Sequence, residues 1–201
     1  MNERKRYHHG NLREALVEAA LSLIGEKGAL GFSFAEAARR AGVSPAAPYR
    51  HFRDRDALLA ETARHGFERF ADRLEAAWDG GRPAPVAAFE AVGRAYLDFA
   101  REEPAYFTAM FETGLPHQPG ESGAGARAFA ALERACAAVA ALAPSDRRPP
   151  TRMMALHVWS LTHGVATLFG RDGCGAPISA EELLESGVLI YLRGLGLLPQ
   201  A

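Results

Sequence analysis

Apolar residues along this chain recur at three- and four-residue spacing, the period of helices with one buried face. No stretch alternates convincingly as a strand would. Leu12, Leu16, Ala19, Ala20, Leu23 and Ile24 form the first such run. Asn11 with Glu14 predicts its start and Gly28 its end. Ser33 and Glu36 predict a capping box that opens a short helix over 34–41, stopped by Gly42. Ser44 predicts the cap of a third helix with Pro45 at its first position. Asp54 predicts the start of a fourth, where Leu59, Ala63, Phe67, Phe70, Leu74 and Trp78 make one stripe. The run 79–85, rich in Gly and Pro, breaks the pattern. A helix over about 86–101 follows, Pro104 restarts a shorter one through Phe111, and 114–126 predicts a loop. Phe129, Leu132, Cys136 and Val139 mark the next helix, 143–150 is a break, and two long helices over about 151–170 and 180–196 close the chain, the second capped by Ser179 with Glu182. The expectation is an all-α fold of about nine helices, divided into 1–54 and 55–201, with helix 55–78 connecting the two parts.

Composition narrows this picture. At 201 residues and 48% apolar, the chain can bury a sizeable core. No apolar run approaches the roughly 18 residues of a membrane span, and the basic opening MNERKRYHHGNLREA has no apolar stretch behind it, so a soluble cytoplasmic protein is expected. Cys136 and Cys174 stand far apart, in no CxxC spacing, and read as reduced thiols. No metal or cofactor is expected. The net charge of −1 is uneven: residues 1–55 hold ten Lys/Arg against six Asp/Glu, a net +4, and the remainder is net −5. A basic amino-terminal module on an acidic body is the footprint of a nucleic-acid binder.

The segment 34–51 has the pattern of a helix-turn-helix. Gly42 supplies the left-handed conformation of a tight turn, Val43 fills the angle, and Ser44 faces the free amides of the next helix. That helix, Pro45-Ala46-Ala47-Pro48-Tyr49-Arg50-His51, leads with small residues that permit close approach to base edges and thymine methyls. Tyr49 and His51 can donate to phosphates, and Arg50 can pair with guanine or hold a phosphate. Arg53 and Arg55 begin the following helix, where free amides favour an anion.

The string AARRAGVSPAAPYRHFRDRDALL resembles the signature of the tetracycline-repressor family. Tyr7-His-His-Gly-Asn-Leu12 and Trp159-Ser-Leu-Thr-His163-Gly164 resemble the subgroup whose carboxy-terminal region is named for a Trp-His-Gly pattern. The resemblance implies a DNA-binding transcriptional regulator, a repressor released by a small apolar ligand. It implies that Ser33 and Ser44 cap helices and touch phosphates, that Tyr49, His51 and Arg55 bind phosphates, and that Pro45, Ala46, Ala47 and Arg50 face bases. It also implies that the last two helices pair with their symmetry mates, through Leu161, Val165, Leu168, Leu184, Val188, Tyr191, Leu192 and Leu195. The implied partners are thus a pseudo-palindromic double-stranded operator, a second copy of the chain, and a small-molecule effector of unknown identity, with no membrane. Pro48 departs from many relatives, which carry Leu there. A proline one turn into a helix loses an amide bond and crowds a carbonyl, so a distorted reading helix is expected.

Aromatic and Met residues gather in the body. Phe89, Tyr96, Phe99, Tyr106, Phe107, Met110, Phe111, Trp159 and Phe169 are candidates to line a cavity, with His157 and His163 as polar handles; the same spacings also suit ordinary core. An enzyme and a protein-interaction module built on the helix-turn-helix fold are the competing classes. The chain lacks a G-x-S-x-G elbow, a phosphate-binding glycine loop and an HExxH. Tyr49, Arg50, His51 and Arg55 argue against a module that no longer touches DNA.

Overall fold

A computed structural model describes residues 12–113, 123–169 and 177–197. Among these residues there are eight α-helices and no strand. They are α1 (Leu12–Lys27), α2 (Phe34–Arg40), α3 (Arg55–Trp78), α4 (Pro85–Glu102), α5 (Pro104–Phe111), α6 (Gly123–Ala140), α7 (Thr151–Phe169) and α8 (Ala180–Gly194). The chain divides into two compact units, Met1–Gly66 with Ala105–His117, and Phe67–Pro104 with Gln118–Ala201. Helix α3 begins in the first unit and continues into the second.

In the first unit the apolar face of α1 (Leu16, Val17, Ala20, Leu23, Ile24) packs with Phe32, Ala37, Phe52, Leu58, Leu59 and Ala109 of α5. Gly28 (φ +77°) ends α1, its amide donating to Ile24 O at 2.8 Å. The α2 capping box closes in both directions: Glu36 N donates to Ser33 Oγ at 3.2 Å and Ser33 N to Glu36 Oε2 at 2.8 Å. Gly42 (φ +73°) turns the chain, so that Val43 N reaches Ala38 O at 3.0 Å. The expected start of α1 at Asn11 lies outside the described residues.

The expected third helix is not an α-helix. It is a 3₁₀ turn, Ala47–Arg50, that opens without a side-chain cap, and among the described residues the Ser44 hydroxyl caps no amide. The reason is local. The first α-helical bond after Ser44 would run from the amide of residue 48 to the Ser44 carbonyl, and Pro48 has no amide. The Ser44 carbonyl instead accepts from Ala47 N at 3.0 Å, and Pro48 O accepts from His51 N at 2.9 Å and Phe52 N at 3.0 Å. Pro48 itself is fully buried.

The second unit is a bundle of the carboxy-terminal part of α3 with α4, α6, α7 and α8. Phe70, Leu74 and Trp78 continue the α3 stripe inward; Phe99, Val139, Met154 and Leu192 are buried in the same unit. Helices α7 and α8 pack closely at Gly187, where a Cβ would stand 3.0 Å from Leu161 Cδ2. Helix α6 starts at Gly123, inside the stretch expected to be loop. Gly125 in that first turn faces α3, where a Cβ would sit at ordinary contact distance, 3.7 Å from the Phe67 ring. The Ser179–Glu182 box opens α8 as expected, with Glu182 N donating to Ser179 Oγ at 3.1 Å.

Candidate nucleic-acid interface

Two buried anchors, Pro48 and Phe52, hold the segment after the Gly42 turn against the first unit and push the intervening side chains outward. Pro45, Ala46, Tyr49, Arg50 and His51 are exposed, as is Ser44, and Ala47 is half-buried. Tyr49 is 64% exposed and meets the edge of Phe34 with ring centroids 5.0 Å apart, which braces its phenol on the first residue of α2. Ser33 is exposed at the amino end of that helix while its hydroxyl is engaged with Glu36. Asp54 caps α3 by accepting from Ala57 N at 2.8 Å. That bond, and then Arg53, lower its pKa.

Arg55 is turned inward. Its Nη2 donates to Ala29 O at 3.3 Å, its guanidinium carbon lies 5.6 Å from the Phe32 ring, and its Nε is buried with no hydrogen-bond partner among the described residues. Arg53, two positions earlier, has an 89% exposed side chain beside Asp54. Glu61 ties α1 to α3: it accepts from Arg13 Nε at 2.9 Å and from Arg64 Nε at 3.0 Å. These hydrogen bonds, that of Arg64 first, bring the Glu61 pKa down to about 2. Arg13 also lies over Phe52, 4.8 Å from its centroid, so the amino end of α1 helps to hold the second anchor.

The residues expected to line a ligand site fall into two groups. Tyr106, Phe107, Met110 and Phe111 are on α5, in the first unit, with Phe107 and Phe111 packed ring to ring at 4.9 Å. Phe89, Tyr96, Phe99, His157, Trp159 and His163 are in the second. There the Tyr96 hydroxyl meets His163 Nδ1 at 2.8 Å, and the His163 ring lies 6.0 Å from that of Trp159. Burial raises the Tyr96 pKa, opposed by a hydrogen bond with Trp159. Phe70 stands edge-on to Tyr96 at 4.9 Å and Phe129 edge-on to Trp159 at 6.3 Å; sequence reasoning passes over both because each reads as an ordinary stripe residue of its own helix. His157 belongs elsewhere: it is exposed, with Nδ1 3.1 Å from the Tyr191 hydroxyl. Phe169 is half-buried at the end of α7.

Residues 16–62 match the family described as bacterial regulatory proteins, tetR family. Residues 89–190 match the tetracyclin repressor-like, carboxy-terminal domain. The chain belongs to the TetR family. It is similar to a protein of unknown function from Rhodococcus sp. RHA1, with 34% identity, 94% of this chain and 98% of that chain covered, and a TM-score of 0.73. The fold is also that of the TetR family transcriptional regulator PfmR from Thermus thermophilus, at 22% identity over 89% of this chain and 97% of that one, with a TM-score of 0.61. Among curated relatives, the HTH-type transcriptional regulator BetI of Brucella anthropi is 34% identical over 102 residues, 49% of this chain and 52% of that protein. The chain thus spans about half the length of the BetI relatives it matches.

The last two helices are where the sequence places a partner copy. Val165, Leu184, Val188 and Leu192 are already buried within the single chain. Leu161, Tyr191 and Leu195 are half-buried. Leu168 is 68% exposed and Ile190, on α8, 69% exposed. Among the described residues, no group of three His, Cys, Asp or Glu is placed to hold a metal ion, and no helix is long and apolar enough to cross a membrane.

Proposed function

We propose that this chain is a transcriptional regulator that binds operator DNA as a homodimer and is released from it by a small, largely apolar ligand. The observation that carries the reading is the segment 44–51: anchored from below by Pro48 and Phe52, it presents Pro45, Ala46, Tyr49, Arg50 and His51 outward in a domain that matches the tetR regulatory family. Small leading residues suit base edges, while the phenol, imidazole and guanidinium suit phosphates and guanine. Ser33 at the amino end of α2 adds a phosphate contact. Two copies, related by a two-fold axis through the exposed faces of α7 and α8, would meet the half-sites of a pseudo-palindrome.

The effector reading rests on the Tyr96–His163–Trp159 group, which sets hydrogen-bonding atoms among the rings of Phe70, Phe99 and Phe129. A ligand engaging it acts on α3, whose chain is continuous with the start of the first unit. The coupling needed is about 1–3 kcal/mol and is reciprocal, so operator DNA weakens ligand binding by the same factor. The test is fluorescence anisotropy with the DNA upstream of the protein's own gene. Hydrophobic compounds that raise its melting temperature are then titrated against the complex. Nanomolar to micromolar binding that a stabilising compound reverses is expected. A protein that binds no upstream DNA overturns the regulatory reading, and a stabilising compound that leaves operator affinity unchanged overturns the release mechanism.

A further inference from the structure

The first unit contains more arginine than its surface leaves available. Most cations of α1 and α2 are engaged. Arg13 is held by Glu61. Lys27 donates to Glu36 at 2.7 Å. Arg40 forms a two-pronged pair with Glu26, at 2.6 and 2.7 Å, and reaches Ser22 as well. Arg39, its neighbour, is exposed, and its guanidinium has no acidic or hydrogen-bonding partner among the described residues. Both arginines gain equally from the carboxy end of α2, so position alone does not separate them; pairing does.

Placement separates them further. Ala37, Ala38 and Ala41 turn one side of α2 into the core. Arg40 turns back to α1. The open side carries Ala35 and Arg39, one helical turn apart and both exposed. The Arg39 carbonyl accepts from Gly42 N at 3.1 Å, so the residue belongs to the turn that delivers the reading segment. The first helix of a helix-turn-helix crosses the DNA backbone, and an unneutralised guanidinium at its exit is suited to a phosphate. Arg55, expected from the sequence to bind phosphate, donates to Ala29 O, lies over Phe32 and stands 3.9 Å from Asp56.

Resting on the DNA-binding reading, we infer that Arg39 is a phosphate-contacting residue of this interface, and that Arg55 is a positioning residue that pins the α1–α2 loop, and with it Ser33, to the start of α3. The test is the salt dependence of binding to a random-sequence DNA duplex, which needs no knowledge of the operator. Each phosphate contact contributes about −0.9 to the slope of log K against log salt. Arg39→Gln is expected to flatten the slope by about that amount with little change in melting temperature, and Arg39→Lys to keep it. Arg40→Gln removes the same formal charge from a paired site and is expected to leave the slope in place. Arg55→Gln is expected to lower the melting temperature and weaken binding at an unchanged slope. An unchanged slope in Arg39→Gln, or equal flattening in Arg39→Gln and Arg40→Gln, overturns the assignment of Arg39. Flattening in Arg55→Gln without loss of stability overturns that of Arg55. A wild-type protein that shows no salt-dependent binding at all removes the DNA-binding reading itself, an outcome distinct from each of these.

Discussion

The two units use arginine in opposite ways. In the second, Arg69 and Arg73 pair with Glu103 and Glu102, Arg127 with Asp72 and Glu75, and Arg152 with Glu133, each bridging two segments of the unit. That unit also exposes several large apolar side chains, among them Met153, Leu168 and Ile190, where the first exposes Leu30. In the first unit Arg13, Lys27 and Arg40 are held in structural pairs, while Arg39 and Arg50 stand outward on α2 and the reading segment. A surface pair contributes little to stability, so the useful contrast is not strength. A paired guanidinium joins helices, and an unpaired one remains open to an anion. On the proposed function, the first unit would meet a polyanion and the second an apolar surface.

The largest effect expected from breaking this contrast is in α8. Leu192→Glu buries an unpaired charge at a position only 1% exposed and should unfold the second unit. Ile190→Glu, at 69% exposure, should leave each chain folded and abolish dimerisation. Sedimentation should report about twice 21.6 kDa for wild type and a single mass for the variant. A folded Ile190→Glu dimer would move the partner contact off this face. Next in size, Arg50→Ala should cost about 1–3 kcal/mol on the operator, as expected of a base contact, and much less on random DNA. Equal losses in anisotropy titrations on the two would make it a phosphate contact.

Glu61 tests the internal arrangement of the first unit. Its pKa is lowered to about 2 from an ordinary 4.5, so its stabilising effect is present above about pH 4.5 and disappears as the pH falls to about 2. Glu61→Gln should cost on the order of 1–2 kcal/mol near neutrality, with the gap from wild type closing in acid. Urea denaturation across that range measures it, and a gap of constant size would assign the loss to packing. The smallest contrast is between two serines. Ser33→Ala should destabilise by about 1 kcal/mol through the lost cap, whereas Ser44→Ala should change stability little, because Ser44 caps nothing. Equal effects would restore the α-helical reading of 44–51.

Those two serines show what was legible. Ser33 with Glu36, and Ser179 with Glu182, are local signals whose partners lie three residues away, and both boxes formed as the sequence indicates. Ser44 with Pro45 carries a similar local signal. Pro48 overrules it by removing one amide; the sequence indicates a distortion there, and the structure carries it as far as a 3₁₀ turn. Gly123 and Gly125 read as loop, although Gly123 opens α6 with a positive φ (+71°) and Gly125 faces the Phe67 ring across the helix packing. The pairing of Tyr96 with His163, 67 positions apart in the chain, is a product of helix packing and has no local signature. The inward turn of Arg55 likewise depends on Phe32 and Ala29, which belong to a different segment.

The central claim is that 44–51 reads DNA from a two-fold dimer. Hydroxyl-radical footprinting on the protein's own upstream region tests it most directly, with wild type beside a folded Tyr49→Ala/Arg50→Ala variant. The account predicts two protected half-sites related by a dyad, with centres about one helical turn or a multiple of it apart, and loss of both together in the variant. A single unpaired footprint, or protection that survives the double substitution unchanged, would contradict it.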